Sequence, residues 1–128
     1  MTRQPYFNTP ERILSLAGVA SHWRGTPWCA NSDACGPRGG VSCHNLPRTL
    51  YIASGALTDA FPKTIGYPNR HARLSVIEPF LDSRPEFMRV PLNGLQPGDL
   101  LGLRLYHCLD HLGVLLNVSD FIHVLAHK

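Results

Sequence analysis

Gly39-Gly-Val-Ser-Cys-His-Asn-Leu-Pro-Arg-Thr-Leu-Tyr-Ile-Ala-Ser-Gly55 is the stretch on which the reading of this chain turns. A glycine-rich approach leads to a cysteine, and an apolar helical pattern follows. Pro47 belongs in the first turn of that helix, where its missing N–H costs nothing. The spacing therefore predicts a helix from about Cys43 or His44 to Ser54, stopped by Gly55. Leu46, Leu50 and Ala53 are its expected buried stripe. Cys43 falls at the N-terminal end, where backbone amides and neighbouring cations activate a thiol.

Upstream, Thr9-Pro10 reads as an N-cap followed by proline at the first helical position. Ile13, Leu14, Ala17, Ala20 and Trp23 give the expected apolar face, and the helix should end near Gly25. Residues 25–42, rich in Gly, Pro, Asn, Ser and Asp, read as a long loop of the kind that is usually functional or disordered. Five prolines interrupt residues 56–94, with a short helix over 71–81 that turns Leu74, Ile77 and Leu81 inward. Gln96-Pro-Gly-Asp99 is a turn signal. Beyond it the pattern alternates in twos, predicting strands at 100–106, 111–116 and 121–126. Helices first and strands later imply an α+β domain with an antiparallel sheet.

His111, Gly113 and Leu115 should share one face of their strand, and Phe121, His123 and Leu125 one face of the next. An odd-length hairpin loop sets residue 113 opposite 123. The two histidines then become diagonal neighbours, about 7–8 Å apart at Cα. Pairing of 114 with 123 would put them on opposite faces. A thiol at a helix start and two imidazoles on a sheet suit nucleophilic catalysis. Cys43 supplies the nucleophile, His111 the general base and His123 the group that orients it. The competing readings are a small buried cysteine and ordinary core or surface histidines, in a chain with seven histidines.

Composition narrows the class. At 128 residues, with 44% apolar and 16% charged, the chain suits one globular domain. Ten arginines and two lysines are scattered, and the net charge is +3, so no nucleic-acid partner is expected. No secretory signal and no membrane-length apolar run is visible, which implies no membrane insertion and a cytoplasmic location as encoded. Four cysteines give no positive support for a Cys29–Cys35 bridge, and none has the short Cys-x₂₋₄-Cys spacing of a zinc site.

Gly25-Thr-Pro-Trp28, Gly39-Gly-Val-Ser-Cys43-His-Asn-Leu46, Leu95-Gln-Pro-Gly-Asp-Leu100, His111-Leu-Gly-Val114 and Phe121-Ile-His123 occur in that order. The set resembles the NlpC family of papain-like cell-wall cysteine peptidases over residues 10–126. The resemblance implies a papain-like fold in which a helix carrying the thiol packs on a small antiparallel sheet. It also implies a Cys43–His111–His123 triad and no cofactor or metal. The implied chemistry is hydrolysis of peptide or isopeptide bonds in peptidoglycan stem peptides, at the cell wall after export or release. Short relatives of this kind also occur in phage-tail assemblies, where a structural or binding module is the alternative role. In permuted acyl-transferring relatives the histidine precedes the cysteine; here Cys43 comes first, which favours hydrolysis.

The chain departs from the family pattern at three places beside the thiol. Ser42 stands where Asp is common, His44-Asn45 where Ser-Gly is common, and Trp28 where Tyr is common. Trp28, Ser42 and His44 are accordingly the expected substrate or oxyanion residues. The chain stops five residues past His123. The expectation is a sheet lacking the family's last strands, with an exposed edge that is covered or pairs in a homodimer.

Overall fold

The N-terminal helix α1 (Pro10–Trp23) begins where a threonine can cap it: the Thr9 hydroxyl accepts from the Arg12 N–H at 3.2 Å. The computed structural model describes residues 4–30, 32–63, 75, 77–105 and 108–124. The short strands β1 (Asp33–Ala34) and β2 (Gly40–Val41) follow, then α2 (Leu46–Ala53) and α3 (Ile77–Asp82). A single 3₁₀ turn at Leu92–Gly94 leads to β3 (Leu100–Leu105), β4 (Cys108–Leu115) and β5 (Phe121–Ile122). The last three form an antiparallel sheet in the order β3-β4-β5, so the fold is α+β. Helix α2 packs on α1 and on β4, and α3 packs on β4.

Two expectations about buried faces are corrected. On α1 the buried residues are Leu16 and Ala20, whereas Leu14 is 70% exposed and Ala17 is also exposed. Ile13, Val19 and Trp23 flank the buried pair, so the stripe is rotated from the expected one. Leu14 and Leu16 are equally apolar; docking against α2 selects the second. On α2, Leu46 and Leu50 are buried as expected, but Ala53 is exposed and Tyr51 takes its place. The Tyr51 hydroxyl donates to the Gly98 carbonyl at 2.7 Å, which ties α2 to the turn before β3.

The loop over 25–42 is more ordered than its composition suggests. Val41 exchanges backbone hydrogen bonds with the 27–29 segment: Cys29 N–H donates to Val41 O, and Val41 N–H to Pro27 O. On its other side Val41 pairs with Asp33. Cys29 and Cys35 thus lie on opposite sides of β2, and both thiols are free.

Gln96-Pro-Gly-Asp99 is a turn, with Gly98 at φ +95° and the Asp99 N–H bonded to Gln96 O. Ile77 of the expected 71–81 helix is buried in α3; Leu74 lies outside the described residues. The last strand is shorter than expected, ending at Ile122 rather than 126, and residues 125–126 also lie outside the described set. Val114 pairs with Ile122 and Leu115 with Phe121 across a five-residue connection. Asn117 holds that connection, its side-chain oxygen accepting from the Ser119 and Asp120 N–H groups at 2.9 and 3.0 Å.

Candidate functional site

The turn that carries the thiol is built by Ser42. Its carbonyl accepts from the Leu46 N–H at 2.9 Å, and its hydroxyl accepts from the Asn45 N–H at 3.2 Å. Ser42 therefore does the work of an N-cap one turn ahead of α2, and Cys43 and His44 occupy the capped turn. Regular helical bonding starts at Leu46, two to three residues later than the expected start. Pro47 falls in the first turn, as its missing N–H requires.

This whole segment is interior. Cys43 is 0% exposed and sits in the core cluster with Leu46, Leu50, Val114 of β4 and Val124 beside His123. Ser42, His44 and Asn45 are buried as well.

His111 and His123 come together in the register expected of them. Continuing the Val114–Ile122 pairing by one step brings residue 123 alongside Gly113, diagonal to His111. The imidazoles meet edge to face with centroids 5.1 Å apart, and His111 Nε2 lies 2.9 Å from His123 Nδ1. His111 is 1% exposed, whereas His123 belongs to the exposed surface. Burial, reinforced by the like charges of His123 and His44, lowers the His111 pKa to about 4. His111 is therefore a neutral imidazole near pH 7.

The hydrogen bond also assigns the ring nitrogens. For His111 to act as a base, its Nε2–H must donate to His123 Nδ1, which leaves the Nδ1 lone pair of His111 for a proton. His123 then carries its own proton on Nε2.

The three expected substrate or oxyanion residues divide. Ser42 is committed to capping through its hydroxyl oxygen. His44 is close enough to His111 to oppose its protonation, but it faces a small apolar cavity of about 20 Å³ shared with Leu100 and Leu112. Trp28 bridges to Val41 and packs against the core with its indole Nε1 buried. A larger pocket of about 340 Å³ opens on the His123 side. Val41 and Leu46 from the thiol segment, Phe121 and His123 from the hairpin, and the oppositely charged residues Arg24 and Asp120 line it.

Phe121 and Gly113 complete this constellation, and no role for either was read from the sequence. The Phe121 ring lies 4.8 Å from the His123 ring, centroid to centroid, at 37°. The alternation that places His111 and His123 on one face also places Gly113 and Phe121 there, so their proximity was legible even though its purpose was not.

Among the described residues no three His, Cys, Asp or Glu side chains gather as a metal ion would require, and no helix is long and apolar enough to cross a membrane. No family model, curated protein or solved structure matches the chain.

Proposed function

We propose that this chain is a papain-like cysteine peptidase or amidase of the NlpC type that hydrolyses peptide or isopeptide bonds of peptidoglycan stem peptides. The observation that carries this reading is the 2.9 Å hydrogen bond between His111 Nε2 and His123 Nδ1, with His111 buried and neutral. Such a pair orients a general base; an isolated core histidine has no need of a second imidazole.

In the proposed reaction His111 Nδ1 takes the Cys43 thiol proton as the sulfur attacks the substrate carbonyl carbon. The tetrahedral oxyanion forms beside the N-terminal turn of α2, where the backbone dipoles favour negative charge. The His111 imidazolium gives its proton to the departing amine, which leaves a thioester on Cys43. Water, deprotonated by His111, then attacks the thioester carbonyl and releases the acid and the thiol. Burial keeps His111 neutral and so able to accept that proton. The pocket lined by His123, Val41 and Leu46 supplies the approach for a peptide.

The test is incubation with purified stem peptides, wild type against Cys43→Ala, read by mass spectrometry. Cleavage by the wild type and none by the variant is the expected result. Equal products, or none from either, would sink the reading.

One observation favours a second reading, that of a structural or binding module such as a phage-tail-like part: the Cys43 side chain has no exposed surface. Alkylation separates the two. An activated nucleophile labels faster than the exposed Cys35 once substrate-sized reagents enter the pocket; a closed module labels at Cys35 first. We also propose that the edge of the sheet at its last strand, β5, is covered or pairs with its counterpart in a homodimer.

A further inference from the structure

The alternation on β4 and β5 puts His111, Gly113, Phe121 and His123 on one face, and the missing side chain of residue 113 decides how that face is filled. A Cβ at position 113 would meet Phe121 Cδ2 at 2.7 Å and the Ile122 carbonyl oxygen at 3.2 Å. The Phe121 ring therefore lies diagonally across β4 in the space that only glycine leaves open. From there it reaches the His123 imidazole at 4.8 Å between centroids, tilted by 37°.

His123 needs such a support. It lies past the last ladder pair of β5 and is exposed, so neither strand bonding nor core packing holds its ring. Two ring contacts orient it: Nδ1 to His111 Nε2, and its face to Phe121. The first contact is the one the base depends on; the second restricts the rotation that would break it.

We propose that Phe121, seated over Gly113, is a positioning residue that locks the His123 ring so that Nδ1 meets His111 Nε2. Phe121 touches no reacting atom in this arrangement. Its effect on turnover rests on the cysteine-peptidase reading above; its effect on the histidine pair does not.

The experiment therefore reads both. Histidine ring ¹⁵N NMR of wild type, Phe121→Ala, Phe121→Leu and Phe121→Tyr reports whether the His111–His123 hydrogen bond persists. The expected result is that Ala and Leu lose the paired tautomer signature while Tyr, which keeps an aromatic face, retains it. In the same variants kcat should fall roughly two- to tenfold for Ala and Leu, with KM little changed and Tyr near wild type.

Gly113→Ala should reproduce the loss in the otherwise wild-type chain and add less to Phe121→Ala than it costs alone, since once the ring is gone its Cβ meets only the Ile122 carbonyl at 3.2 Å. Unchanged ring nitrogens in Phe121→Ala would overturn the proposal, as would full additivity of the two substitutions. A wild type with an intact histidine pair but no cleavage would count against the peptidase reading alone.

Discussion

The two ends of the site are held in opposite ways. The thiol end is interior: Ser42, Cys43, His44 and Asn45 are all buried, capped by the Ser42 hydroxyl and clamped between α1, the 27–29 segment and β4. The hairpin end is peripheral: β5 has two ladder pairs, His123 is exposed, and Asn117 sets the connection through exposed hydrogen bonds. His111 joins the two characters, buried on the long strand β4 but bonded to the exposed ring. A nucleophile fixed by the core tolerates little movement. An orienting group on a short hairpin depends on register and on a few ring contacts.

Perturbing the two ends should give different phenotypes. If His111 is the base proposed above, His111→Asn should lower kcat/KM by about 10²–10⁴, with stem-peptide turnover as the measure. His123→Ala should cost less than that, because the base stays in place and loses only its orientation. If His123→Ala proves the more damaging, the proposed roles are reversed.

Acidification should weaken the fold through His111. The unfolded chain takes up this proton near the ordinary imidazole value of 6.5, the folded chain only near 4. Between those values the unfolded state binds more protons, so the His111 contribution to stability falls as pH drops from about 6.5 to about 4 and levels off below. Urea midpoints measured across this window should decline, and His111→Asn should flatten the decline. An equal slope in the variant would assign the effect to another group.

Ser42→Ala removes the cap of the thiol turn and should destabilise the protein by about 1 kcal/mol in urea titration. Asn117→Ala at the hairpin tip should cost no more, since its bonds are exposed, but it should disturb the His111–His123 pair by loosening the register. The smallest effect belongs to Val118→Ser, at a residue 94% exposed, within about 0.5 kcal/mol of wild type.

Much of this arrangement was legible because it follows from local chemistry. Thr9-Pro10 caps a helix wherever the following residues can continue it, Pro47 confines the start of α2, and Pro97-Gly98 makes a turn before β3. The alternation on β4 and β5 left the two histidines on one face for an odd-length connection and on opposite faces for an even one, and the Val114–Ile122 pairing selects the first. The α1 face was misread because its apolar residues surround the helix too evenly. Leu14 and Leu16 are alike until α2 packs on one side. The β1–β2 pairing was hidden for a related reason, since two-residue strands carry no periodicity.

By itself, then, the sequence determined an α+β chain in which a cysteine lies just ahead of a helix and two histidines lie on neighbouring strands. Backbone rules act within a few residues and need no partner. Only the tertiary structure decided that Ser42 is a cap, that Trp28 and His44 turn inward, and that Phe121 rests on His123. Those outcomes depend on which surfaces meet, and packing between segments far apart in the chain settles that.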